Sequence, residues 1–147
     1  MRAAAFFDVD GTLLRGNVVG YYARLRTLDM SRFERGLWLA GFVLTVPWWL
    51  VLDKCSRGLF QREFYKNYAR IAPAALESRA RAHFDRYMAP RLYPGALQRI
   101  REHQERQDLV VLVTGSLRPI VEPLAARARA DELIAPELRV ENGVFTG

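Results

Sequence analysis

Two short apolar runs constrain the fold more than any other feature. Residues 3–7 and 109–113 are wholly apolar, and each run ends in polar residues: Asp8 and Asp10 after the first, Thr114, Gly115 and Ser116 after the second. Uninterrupted runs of this length suit strands buried on both faces, as in a parallel sheet. Open parallel α/β sheets present their ligands at the carboxyl ends of the strands. The two polar clusters are therefore expected side by side, and the long stretch between them must return the chain to the same sheet.

That stretch is dominated by helical periodicity. Val18, Tyr22, Leu25 and Leu28 share one face at spacings of three and four. Ser31 followed by Glu34 is a capping box opening the next helix, which enters an apolar segment and is kinked or ended near Pro47. Phe60, Phe64, Tyr68 and Ile71 mark a third helix closed by Pro73, and Leu76, Ala80, Phe84 and Tyr87 a fourth. An all-helical insert over residues 16–90 is expected. Beyond it, residues 94–104 and 119–130 read as helices on either side of the second strand, and residues 133–135 as a possible third strand. Asn142-Gly143 is a hairpin turn between short β segments.

The chain has 147 residues, 50% of them hydrophobic, enough to bury a core. One cysteine, Cys55, excludes an intramolecular disulfide, and His83 and His103 beside it make no zinc cluster, so a reducing cytoplasm fits. The five apolar residues after Met1 and Arg2 are too few for a secretory leader. A formal charge of +6 permits an anionic substrate, a nucleic acid or an anionic membrane surface. The arginines are scattered along amphipathic stretches rather than clustered in a block, which favours solvated helix faces and no nucleic-acid partner. Residues 36–52 carry no charge and include Trp38, Trp48 and Trp49. This run sits at the short limit for crossing a bilayer, about 20 residues, and is interrupted by Pro47, so a buried or interfacial helix is expected rather than a spanning one.

The run Phe6-Phe7-Asp8-Val9-Asp10-Gly11-Thr12-Leu13-Leu14 sets two carboxylates two positions apart, followed by a glycine that permits a sharp turn. A calcium loop does not fit, because Leu14 and Gly16 fall where oxygen ligands are needed and no acid follows until Asp29. Ser116 lacks the flanking glycines of a serine-hydrolase elbow. The run resembles the first motif of the haloacid dehalogenase (HAD) superfamily, D-x-D-x-T after hydrophobic residues. The likeness to its phosphoserine phosphatase-like branch, subfamily IB, extends through the helical insert, the Tyr93-Pro94-Gly95-Ala96 helix entry, Thr114 as a hydroxyl residue ending a strand, and the hairpin closing on Thr146-Gly147.

The resemblance implies an α/β fold in which residues 1–15 and 91–147 form a partial Rossmann-like parallel core and residues 16–90 an all-helical cap. It implies a magnesium-dependent phosphatase acting on a small phosphorylated substrate. Asp8 would attack phosphorus to give an aspartyl phosphate, and Asp10 would protonate the leaving oxygen and later activate water. The Thr114 hydroxyl and the Gly115 amide would hold phosphoryl oxygens. Mg2+ would be held by the Asp8 carboxylate, the Asp10 carbonyl and a later aspartate. Repulsion between neighbouring carboxylates in unequal environments separates their pKa values, which suits one nucleophile and one acid.

Two departures qualify this. Phosphoserine phosphatases carry a glutamate nine residues past the nucleophile for the substrate's ammonium, and Asn17 stands there, so phosphoserine is not carried over as the substrate. The family's later lysine and G-D-x-x-x-D run do not occur up to Gly147, so the 147-residue chain is expected to be an inactive, self-associating fragment. The alternatives are a phosphate-binding remnant without turnover, or a phosphatase held at a membrane by residues 36–52 and acting on a lipid-derived phosphate.

Overall fold

The computed structural model describes residues 3–147; Met1 and Arg2, weighed above with the leader, lie outside them. Strand β1 (Ala4–Asp8) leads into five helices, α1 (Val18–Arg26), α2 (Arg32–Val43), α3 (Val46–Cys55), α4 (Arg57–Tyr65) and α5 (Pro73–His83). A π turn at Phe84–Met88 extends α5. Then follow α6 (Pro94–Glu105), β2 (Leu109–Val113), α7 (Arg118–Ala128), β3 (Glu132–Ile134) and a hairpin of β4 (Val140–Glu141) and β5 (Val144–Phe145). The three longer strands form a parallel sheet in the order β1-β2-β3, with Ala4 opposite Leu109, Asp8 opposite Val113, and Val113 opposite Ile134. Asn142 and Gly143 both have positive φ, 51° and 78°, as a tight hairpin turn between right-twisted strands requires.

Burial divides the sheet by face. Side chains alternate along a strand, and the register puts Phe7, Val110, Leu112 and Leu133 on one side, all in or packed against the core with Ile100 of α6 and Ile120 and Leu124 of α7. Successive right-handed crossovers place α6 and α7 on this same side. The other side carries Phe6, Leu109, Val113 and Ile134, all exposed, Phe6 by 66%, with only Val111 at its middle buried among the described residues. The expectation that residues 3–7 are buried on both faces is therefore corrected: among the described residues, β1 is an edge strand with one covered face.

The apolar segment at residues 36–52 also departs from a single helix. It breaks at Leu44 and Thr45, ahead of Pro47, which sits in the first turn of α3. A proline ring clashes with the carbonyl four residues earlier, here that of Val43, so α2 ends there, whereas a helix's first turn tolerates proline. The segment is not buried, since α2 has no buried residue and α3 only Trp49. The third helix ends at Tyr65 and gives way to a 3-10 turn (Lys66–Tyr68); Pro73 opens α5 rather than closing α4. Arg70, with φ 64°, turns the chain out, and its amide and that of Phe145 tie this corner to β5 through Phe145 O and Ile71 O. The Ser31 and Glu34 capping box forms with both hydrogen bonds in place.

Candidate active site

The loop after β1 is built on Val9. Its carbonyl accepts from the amides of Thr12, Leu13 and Leu14, while Gly11, at φ 84°, reverses the chain. Val9, Leu13 and Leu14 are buried, so this knot of backbone is rigid and presents the carboxylates on either side of Val9 differently. Asp8 is exposed, and its Oδ2 accepts from the Thr12 hydroxyl at 2.9 Å. Asp10 is partly buried and reaches β2's carboxyl end, where the Thr114 hydroxyl donates to its Oδ2 at 2.7 Å and Ser116 Oγ lies 3.2 Å from Oδ1. Burial pushes the Asp10 carboxyl above its ordinary value. The hydroxyls of Thr114 and Ser116 pull in the opposite direction, and the Asp8 charge adds to the rise.

Asp8, Asp10, Thr114 and Gly115 thus meet at one end of the sheet. Thr114 is tied further by its amide to Ile134 O at 3.0 Å, and its Oγ1 accepts from the Ser116 amide at 2.9 Å. Its hydroxyl proton is engaged with Asp10, so contact with a phosphoryl oxygen requires that hydroxyl to rotate. The Gly115 amide has no hydrogen-bond partner among the described residues, which leaves it available to an anion.

Sequence reasoning did not find the helical side of the site. Tyr65 of α4 donates from its hydroxyl to Gly115 O. Gln61, one turn earlier, stands so close that a Cβ on Gly115 would lie 3.1 Å from its Nε2. Tyr21 of α1 is fully buried with its hydroxyl near the Asp10 carboxyl; burial, the Asp10 charge and this interaction raise its pKa. Tyr21 also explains Gly16, where a Cβ would fall 2.4 Å from its Cε1 and φ is 150°. Gly16→Ala is expected to lower stability by more than ~1 kcal/mol through strain and overpacking, read as a lower denaturant midpoint with unchanged m-value.

Hard oxygen donors suit Mg2+, which keeps several waters and takes one or two carboxylates. The exposed Asp8 carboxylate fits. So does the Asp10 carbonyl, to which no amide donates among the described residues. No third acidic side chain joins them to form a metal-binding group among the described residues.

The family model for haloacid dehalogenase-like hydrolases matches residues 5–147. The chain belongs to this family. No curated protein matches. Among solved structures, the HAD-like chain is similar to a protein of unknown function from Bordetella pertussis Tohama I (TM-score 0.77, 22% identity), covering 99% of this chain and 65% of that one. A phosphoserine phosphatase captured as a phospho-aspartyl intermediate analogue matches with TM-score 0.62 and 19% identity, over 99% of this chain and 61% of that one. A HAD family hydrolase from Salmonella enterica serovar Typhi matches with TM-score 0.62 and 21% identity, over 99% and 45%. The HAD-like chain therefore spans 45–65% of the length of these structures. The Rossmann-like α/β core read from the sequence is the fold observed.

Proposed function

We propose that the HAD-like chain is the nucleophile-bearing part of a magnesium-dependent phosphatase that cleaves small phosphomonoesters. The observation carrying this reading is the unequal pair at β1's end: Asp8 exposed and Asp10 sheltered, hydrogen-bonded and raised in pKa. An Asp8 carboxylate oxygen attacks phosphorus as the ester P–O bond breaks, and Asp10 gives its proton to the departing alkoxide. Asp10, now ionised, takes a proton from a water that attacks the aspartyl phosphate, releasing inorganic phosphate and restoring Asp8. The Gly115 amide and a reoriented Thr114 hydroxyl hold the phosphoryl oxygens. Bound Mg2+ would supply charge neutralisation between the attacking carboxylate and the phosphoryl group. Asn17 supports a substrate without the ammonium of phosphoserine, since its side chain accepts from Gly20 N at 2.9 Å and caps α1.

The test is acid quenching, during turnover, of a protein that carries this chain together with the rest of its relatives' length, followed by peptide mass spectrometry. Phosphate on the peptide bearing Asp8 is expected; phosphate on another residue, or none during rapid turnover, rejects the mechanism.

The acid's titration gives a second check. The Ser116 hydroxyl stabilises the ionised form of Asp10, so Ser116→Ala is expected to move the Asp10 carboxyl still higher, visible in its carbon-13 titration. A carboxyl raised on folding binds its proton more tightly in the native state. Its contribution to stability is therefore present at low pH and is lost as pH rises from the ordinary value of 3.8 through the folded one. A downward shift in Ser116→Ala contradicts this account.

A further inference from the structure

α2 and α3 each leave an apolar side uncovered. Trp38 and Phe42 turn inward onto Tyr22, and Trp49 onto Phe42 and Phe64. At roughly 100° per residue, Phe33, Leu37 and Leu44 gather on the opposite side of α2 within ~40° of one another. They are exposed by 81%, 69% and 80%, and Trp48 and Val51 of α3 are exposed as well. Charge is confined to the ends of this stretch, Arg32, Glu34 and Arg35 around Phe33 and Asp53, Lys54 and Arg57 after Leu52. Of the two acids there, Glu34 is held in the capping box and Asp53 lies 3.6 Å from Arg57.

We propose that this face docks on an anionic lipid bilayer, with α2 and α3 lying in the interfacial zone and Arg32, Lys54 and Arg57 at its ends meeting headgroup phosphates. Apolar residues bordered by basic ones, with a tryptophan at the boundary, are the chemistry that zone selects. Among the described residues no single helix is long and apolar enough to cross a membrane, and the α2–α3 pair is bent by 40°. Together the two helices are long enough to reach across, but Trp38, Phe42 and Trp49 hold one side of the pair against Tyr22 and Phe64, so the pair lies on the bilayer rather than through it. A second copy is a poorer occupant, since two-fold pairing of this face sets its basic flanks against each other. The proposal is independent of the phosphatase reading.

Flotation of the 147-residue chain with vesicles tests it, because protein aggregates do not float. Binding is expected to phosphatidylcholine vesicles containing phosphatidylglycerol, at least tenfold stronger than to phosphatidylcholine alone, and weakened by salt. Leu37→Glu with Leu44→Glu is expected to lower binding at least tenfold at unchanged melting temperature, both positions being exposed. Lys54→Glu with Arg57→Glu is expected to lower it by about fivefold or more per charge on anionic vesicles. Phe6→Ser with Ile134→Ser, on the open sheet face, is expected to leave it unchanged. Failure of the chain to float, binding indifferent to the Leu37 and Leu44 changes, or loss through the Phe6 and Ile134 changes overturns the proposal. So does a Leu37 and Leu44 variant that loses only a dimer, which would make a second copy the occupant.

Discussion

In a protein that carries this chain together with the rest of its relatives' length, Asp8→Asn is expected to lower turnover by on the order of 10⁴-fold or more, comparable to removing nucleophiles elsewhere. The amide keeps the size and shape of the carboxylate but cannot form the acyl phosphate. Asp8 is exposed and its one hydrogen bond comes from Thr12, so the fold loses little. Melting temperature should stay within a few degrees of wild type while steady-state hydrolysis of nitrophenyl phosphate disappears. Retained hydrolysis in a folded Asp8→Asn protein would remove Asp8 from the chemistry and leave the chain as a phosphate-binding element.

The second large effect concerns the 147-residue chain expressed alone, which is expected to hydrolyse nitrophenyl phosphate no faster than buffer and to self-associate. Neither Asp8 nor Asp10 forms a salt bridge with a basic side chain among the described residues. A phosphate dianion brought to this pair therefore meets repulsion that no cation paired with these carboxylates offsets among the described residues. Association follows from the sheet. β1 is an edge with unpaired backbone groups, and Phe6, Val113 and Ile134 lie on the uncovered face. Phe6→Ser with Ile134→Ser is expected to shift the chain toward monomer in sedimentation. A monomeric wild-type chain with Mg2+-dependent, Asp8-dependent hydrolysis would refute both parts.

The parallel core was legible because its evidence is local. An apolar run such as Leu109–Val113 can be buried only as a strand or short helix segment, and the polar residues at its end mark where a sheet opens to a ligand. Asp8, Asp10, Thr114 and Gly115 follow from strand ends, and the structure brings them together. Tyr21, Gln61 and Tyr65 were not legible, because their positions depend on how α1 and α4 fold back over the sheet. The helical pattern singled out Tyr22, and the neighbouring Tyr21 is the one that lies beside Asp10. Gly16 carried a signal that went unread, a glycine directly before a helix cap, but its reason is the ring of Tyr21 packed against it. The apolar stretch 36–52 shows the opposite failure: composition reports that a surface avoids water, not whether a neighbour covers it. Asp10's environment follows the same rule, since its burial comes from residues about a hundred positions away.

The chain enters the helical region and leaves it at nearly the same point. Leu14 bridges Leu92, Arg15 N donates to Arg91 O at 3.1 Å, and Tyr93 N to Leu13 O at 2.9 Å. Residues 16 to 90 thus hang from a closed stem whose two strands brace each other whatever lies between. That region also touches the core where α5 packs along α7, where Tyr21 lies beside Asp10, and at the ties to Gly115 and Phe145, so changes that spare these contacts can reshape it without moving β1 against β2. Selection can accordingly rewrite what the helices exclude, admit or rest upon, generation after generation, while the paired carboxylates stay where the sheet puts them.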